Sequence, residues 1–274
     1  MPLAKLDEVE INYHVVGDGM PILFISGFGV DHRVWLPQVN FFKERYKVIV
    51  FDNRGIGGSK APKGFFTIED MAVDCASLLE YLNIESSHVV GSSMGGMIAQ
   101  ELAIRYPDKV DKLALCSTAA KLDRKVGRNL IEGFRKVMKE GVDDIVDADA
   151  SIFERIFNYV MQLAFSKEFL KENKDFINFL ILEYTSKKNY PDILLRQLRA
   201  IMKHDATKRL KNLKTKTLII TGECDNVIPP ICSDILHKLI LNSKLVKIPC
   251  GTHGIHLERA EEFNREILNF LEEE

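Results

Sequence analysis

The chain has 274 residues, enough to bury a substantial core without disulfide or metal staples. Its 46% hydrophobic and 28% charged content is that of an ordinary globular protein. Lys and Arg total 37 against 39 Asp and Glu, a net charge of −2 without the basic excess of a dedicated nucleic-acid binder.

The opening stretch, MPLAKLDEVEINYHVVGDG, alternates like a strand and lacks the apolar run of a signal peptide. Apolar runs bounded by turn residues follow at 21–26 (PILFIS), 47–52 (KVIVFD), 88–91 (HVVG) and 112–117 (KLALCS). They are β-branched and mostly continuous, the pattern of strands buried on both faces of a largely parallel sheet. Between the runs at 47–52 and 88–91, residues 67–83 (TIEDMAVDCASLLEYLN) read as a helix. Thr67 and Asp70 form a Thr-x-x-Asp capping start, and Met71, Leu78, Leu79 and Leu82 fall on or near one face.

After Thr118 the alternation stops. From about 121 to 210 the chain reads as successive amphipathic helices punctuated by Phe153, Phe157, Phe165, Phe169, Phe176, Phe179 and Tyr184. Such aromatics are expected to pack helices together, and the interspersed Lys and Arg to form solvated faces. Strands resume at 216–221 (KTLIIT) and 244–249 (KLVKIP), so residues 121–210 are inserted between two parts, 1–120 and 211–274, of one α/β sheet domain. No apolar run approaches the ~18 residues of a membrane span, and no membrane partner is expected. The cysteines Cys75, Cys116, Cys224, Cys232 and Cys250 are odd in number and form no CxxC pair. With the strand-like start, they suggest a cytoplasmic protein. His14, His32, His88, His204 and His237 are dispersed without HExxH spacing, so no metal is expected.

Chemistry enters after the run at 88–91. Gly91-Ser92-Ser93-Met94-Gly95 is a Gly-x-Ser-x-Gly pattern centred on Ser93, suited to a tight strand-to-helix turn that projects the serine oxygen outward. Side chains at the flanking positions would collide with such a turn. Ser92, flanked by Val90 and Met94, does not fit. A phosphate-binding P-loop would need a Lys after its last glycine, and Gly95-Gly96-Met97 offers none. A serine nucleophile needs a base, and the base an orienting group; in an α/β layout both should follow the serine, acid first and then histidine, on loops at strand ends. The strand at 216–221 runs into GECDNVIPP, which holds Asp225, with Glu223 as a possible substitute. Asp before Asn would equally suit a plain turn. The last strand runs into CGTHGIHLE, with His253 and His256.

SGFG at 26–29, DNRGIGGS at 52–59, GSSMGG at 91–96, GECDNVIP at 222–229 and THGIHLERAEEFN at 252–264 together resemble the α/β-hydrolase superfamily, in its group of esterases, enol-lactonases and cofactor-free haloperoxidases. The similarity runs from the first strands to the last helix and is weakest over 121–210. DHRVW at 31–35 and the following PQ resemble 3-oxoadipate enol-lactonases in particular. The resemblance implies a mostly parallel eight-stranded sheet flanked by helices, with the insertion as a helical cap, or lid, over the nucleophile. It implies Ser93 as nucleophile, His253 as base, Asp225 as its orienting acid, and the backbone N–H groups of Phe28 and Met94 as oxyanion hole. No cofactor is implied, and the substrate would be a small ester or lactone. Ser26 stands where the family often has His, which affects loop support more than a hole built from backbone. Arg54 and Gly57 are read as structural, and His256 as a structural neighbour. The same constellation also serves carbon–carbon hydrolysis, amide or aminopeptidase cleavage and perhydrolysis. Some relatives with an intact triad act instead as small-molecule receptors or stress-signalling regulators. An Asp at position 93 would have pointed to dehalogenase or epoxide-hydrolase chemistry; Ser argues against both.

Overall fold

Continuous Val, Ile and Leu runs are stable as strands only where both faces are covered, and that is how most of them are used. The computed structural model describes residues 2–123, 132, 152–175, 177–179 and 190–273. Its eight strands are β1 (Leu3–Lys5), β2 (Glu10–Val16), β3 (Met20–Ile25), β4 (Tyr46–Phe51), β5 (Ser87–Ser92), β6 (Val110–Cys116), β7 (Lys216–Gly222) and β8 (Ser243–Ile248). They form one sheet in the order β1-β2-β4-β3-β5-β6-β7-β8. β2 is antiparallel to β1 and β4, and every later pair is parallel. The register aligns Phe24 with Val90, Val90 with Ala114, and Ala114 with Leu218, so the C-terminal ends of the central strands converge on one edge. In open α/β sheets that edge is where ligands bind.

The described helices are α1 (Leu36–Phe42), α2 (Ile68–Tyr81), α3 (Met94–Arg105), α4 (Ile152–Ala164), α5 (Lys167–Glu172), α6 (Tyr190–Lys203), α7 (Ile231–Leu239), α8 (Ile255–Glu258) and α9 (Ala260–Glu272). Alternation within each strand divides the core into two layers. Leu23, Ile25, Ile49, Val89, Leu113 and Ile219 face α2, α3 and α7. Ile22, Phe24, Val48, Val90, Leu218 and Ile220 face α1 and α9, where Phe263, Ile267 and Phe270 are buried. Each such side chain contributes ~1.5–3 kcal/mol through burial. At the start of α2, Thr67 Oγ1 accepts from Asp70 N–H at 3.1 Å, and Asp70 Oδ2 accepts from Thr67 N–H at 2.7 Å, closing a capping box.

Three sequence-based expectations are corrected. β8 is the edge strand of the described sheet, with no described strand beside its outer side, and of its residues Ile248 alone is buried. Phe179 is half exposed, with the Arg33 guanidinium 5.4 Å from its ring centroid, rather than packed in a core. Arg196 is buried rather than solvated: its Nη2 donates to Pro62 O at 2.6 Å and its guanidinium lies 4.7 Å from the Phe66 ring centroid. Phe165 does pack, stacked on Phe169 at 4.8 Å and clustered with Ile56, Met161, Ala164, Ile177 and Ile193. The side chains of Phe153 and Phe157, together with Phe176 and Tyr184, lie outside the described residues. Among the described residues no helix is long and apolar enough to cross a membrane.

Candidate active site

The end of β5 and the start of α3 are joined by Ser93 alone, which takes φ 57° and ψ −118°. That left-handed backbone costs a non-glycine residue about 1–3 kcal/mol and is held by its surroundings. Ser93 N–H donates to Cys116 O at 2.9 Å, and Thr118 Oγ1 donates to Ser93 O at 2.7 Å. The flanking glycines are required by space. A Cβ on Gly91 would collide with the Gly95 carbonyl, and one on Gly95 with the Ile25 carbonyl. Met94 is the first residue of α3, where a backbone N–H has no intrahelical acceptor.

The loop after β3 passes directly over this turn. A Cβ on Gly27 would lie 3.4 Å from Ser93 Cβ and 4.0 Å from its Oγ. Asn53 Nδ2 donates to Ser26 O at 2.9 Å, and Ser26 Oγ donates to Asp31 O at 3.2 Å, so the serine at position 26 braces its own loop.

The loops after β7 and β8 supply an acid and an imidazole. Asp225 is buried; its Oδ1 accepts from the N–H groups of Val227 at 2.9 Å and Ile228 at 2.8 Å, and its Oδ2 pairs with His253 Nδ1 at 2.8 Å. These bonds lock the carboxylate in place, and they leave His253 Nε2 as the nitrogen available to another group. Glu223 is exposed, so the acid that meets His253 is Asp225. His256 is buried against Trp35 with ring centroids 4.7 Å apart, and its carbonyl accepts from Gln38 Nε2 at 2.7 Å. Burial, with the His253 charge adding to it, pulls the His256 imidazole down to about 3, so it is neutral at physiological pH.

Two small apolar cavities meet at Ser93. One of about 120 Å³ is lined by Gly27, Phe28, Val30, Ser93, Met161, Phe165, His253 and Leu257. The other, about 70 Å³, is lined by Phe28, Ser93, Met94, Met97, Leu163, Leu198 and Ile201. Val160 and Val227 border both. Ser93, His253 and Phe28 therefore share a cavity, Asp225 reaches it through His253, and Met94 lines the second. Sequence reasoning missed the roof contacts: Gly254 N–H donates to Ala164 O at 2.8 Å, and Phe165 packs so tightly on Gly254 that a Cβ there would strike its ring. It also missed Gln197, whose Oε1 accepts from Gly29 N–H at 3.0 Å. Partners 168 positions apart leave no local signal.

Arg54 is committed to Asp74 through a two-point contact at 2.6 and 2.7 Å, and a Cβ on Gly57 would collide with the Asp52 carboxylate. His32 is not isolated, as its sequence spacing suggested: one atom each of Asp31, His32 and Asp52 lies within 4.8 Å of the others. Those groups are engaged with protein partners, His32 Nδ1 with Asp52 Oδ1 at 2.6 Å and Arg33 with Asp31 at 2.6 Å. Burial would raise the Asp52 carboxyl, but hydrogen bonds from His32, Gly58 and Asn12 outweigh it and hold it below its usual value.

This architecture has close relatives. A solved enol-lactonase from Burkholderia xenovorans LB400 superposes with a TM-score of 0.86 at 25% identity, covering 99% of this chain and 100% of that one. A Mycobacterium tuberculosis protein named non-heme bromoperoxidase BpoC is 31% identical over 272 residues, 96% of this chain and 98% of its own. An Azorhizobium caulinodans protein that carries the name carbamate hydrolase RutD is 26% identical over 273 residues, 100% of this chain and 99% of its own. Residues 20–260 match the family described as alpha/beta hydrolase fold, and the chain belongs to that family of hydrolases.

Proposed function

We propose that this protein is a serine hydrolase that cleaves a small carboxylic ester or lactone through an acyl-enzyme. The observation that carries the reading is the buried Asp225 Oδ2 to His253 Nδ1 contact at 2.8 Å, on a histidine sharing a cavity with Ser93 on its left-handed turn. With Nδ1 engaged, His253 Nε2 takes the Ser93 proton as Oγ attacks the carbonyl, then delivers it to the leaving alcohol. The N–H groups of Phe28 and Met94 stabilise the oxyanion, and water resolves the acyl-enzyme. The described helices within residues 121–210 act as the lid: α4 and α6 contribute Met161, Leu163, Leu198 and Ile201 to the walls. The apolar lining supports a substrate with uncharged groups flanking the scissile bond, and the enol-lactonase likeness supports lactones alongside esters.

A panel of short-chain esters and lactones, with carbamates and peptide amides alongside, tests this. Ester or lactone turnover that disappears in Ser93→Ala is expected. Turnover that survives the substitution refutes the mechanism. A single slow turnover with tight retention of ligand would mark a receptor rather than an enzyme.

A further inference from the structure

Resting on the hydrolase reading above, we propose that Gln197 is a positioning residue that holds the oxyanion loop in register with Ser93. Gln197 lies on α6, is wholly buried, and its Oε1 accepts from Gly29 N–H at 3.0 Å. Gly29 takes φ 69°, so the loop turns sharply immediately after Phe28. The loop is thereby gripped on both sides of Phe28: upstream by Asn53 Nδ2 on the Ser26 carbonyl at 2.9 Å, downstream by Gln197 on the Gly29 amide. The two held peptide planes flank the Gly27–Phe28 peptide, which leaves little freedom for the Phe28 N–H that it carries. An oxyanion donor works only when aimed before the charge develops, so such bracing bears on rate rather than binding.

Two further observations separate this role from plain packing. Gln197 Nε2 is buried without a hydrogen-bond partner among the described residues, a cost an apolar residue of the same size would avoid. Nor is Gln197 needed to anchor α6. Arg196 fastens that helix to the Pro62 carbonyl at 2.6 Å, Ile193 packs against Gly55, and Ala206 N–H just beyond it donates to Ala120 O at 2.9 Å. The next residue, Leu198, lines the second cavity, so one helix both touches the ligand space and sets the loop.

The test compares wild type, Gln197→Leu, which removes the acceptor at similar volume, and Gln197→Glu, which keeps an acceptor oxygen. Readouts are kcat and KM on the best ester, affinity for an alkyl boronic acid that forms a tetrahedral adduct on Ser93, and inhibition by the product acid. Gln197→Leu is expected to lower kcat and boronate affinity together by ~10–100-fold, less than the ~10²–10³ of deleting a donor outright. KM and product inhibition should stay within about threefold, and Gln197→Glu should recover most of kcat. Should the Leu variant fail to fold, Gln197→Met is read in its place. An acceptor-free variant with wild-type kcat, equal weakening of boronate and product, or no recovery with Glu would each overturn the role. Wild type with neither turnover nor a boronate adduct overturns the hydrolase reading and this one with it; wild-type turnover with an unaffected Gln197→Leu overturns only this one.

Discussion

Below Ser93 the candidate site is built from strand-end loops, and above it from helices, and different forces hold the two halves. The lower half is bonded polar group to polar group: Asp225 is held by two backbone amides and His253, and the turn at Ser93 by Cys116 O and Thr118. The upper half presents the apolar side chains of Val160, Met161, Ala164, Phe165, Leu198 and Ile201, which are set by packing, while polar contacts reach its helices at Ala164 O, Arg196 and Gln197. Hydrogen bonds fix an atom to within a few tenths of an ångström, as proton transfer requires. Packed apolar walls can change volume at modest cost, as selectivity requires. Under the proposed mechanism the lower half carries the reaction and the upper half the choice of substrate.

Substitutions in the lower half should have the largest effects and act on rate. His253→Ala and Asp225→Asn are each expected to lower kcat by ~10⁴-fold or more with small change in KM, measured by steady-state ester kinetics. Comparable loss in KM alone would erase the proposed division. Where the halves touch, Gly254→Ala pushes a methyl into the Phe165 ring and should cost about 1–3 kcal/mol by overpacking, read from denaturant unfolding. Phe165→Ala acts on the roof itself. It should cost ~3 kcal/mol, enlarge the first cavity and shift preference toward longer or bulkier substrates, with kcat on small ones changed only severalfold.

Acid should strain both halves at once. His256 beneath the site is pulled down to about 3, and His204, just past the end of α6, to about 4, each chiefly by burial. Both are neutral in the fold, whereas the unfolded chain takes up their protons near 6.5, so the stability they contribute is complete above that pH. As pH falls it should be lost by up to ~1.4 kcal/mol per pH unit for each, until about pH 4 for His204 and about 3 for His256. Unfolding free energies from pH 7 to 4.5 check this, and His256→Phe should flatten the slope without abolishing it. The smallest effect belongs to Glu223→Gln, which should leave kcat within about twofold because Glu223 is exposed while Asp225 meets His253.

The two halves were also unequally legible. Local rules state what a short stretch must do. Gly91 and Gly95 announce the tight turn around Ser93 because only glycine clears the carbonyls there. Thr67 and Asp70 announce a helix start because they satisfy its free amides. Helical spacing in the roof, by contrast, identifies an apolar stripe but not which of two apolar neighbours it meets. Phe165 and Phe179 look alike in sequence, yet one is buried on Gly254 and the other is half exposed beside Arg33. Arg196 reads as a surface charge, yet it is buried because the Pro62 carbonyl and the Phe66 ring take its guanidinium.

The amino-acid order by itself determined the strands, the capped helix after Thr67 and the turn at Ser93, since each depends on steric and hydrogen-bonding rules spanning a few residues. The tertiary structure decided that Asp225 rather than Glu223 meets His253, that β8 lies at an edge, that His256 is buried and neutral, and that Gln197 grips Gly29. Those outcomes depend on groups 28 to 168 positions apart along the chain, brought together only when the whole sheet and its roof close. No local rule encodes a contact whose partner is chosen by the packing of everything between.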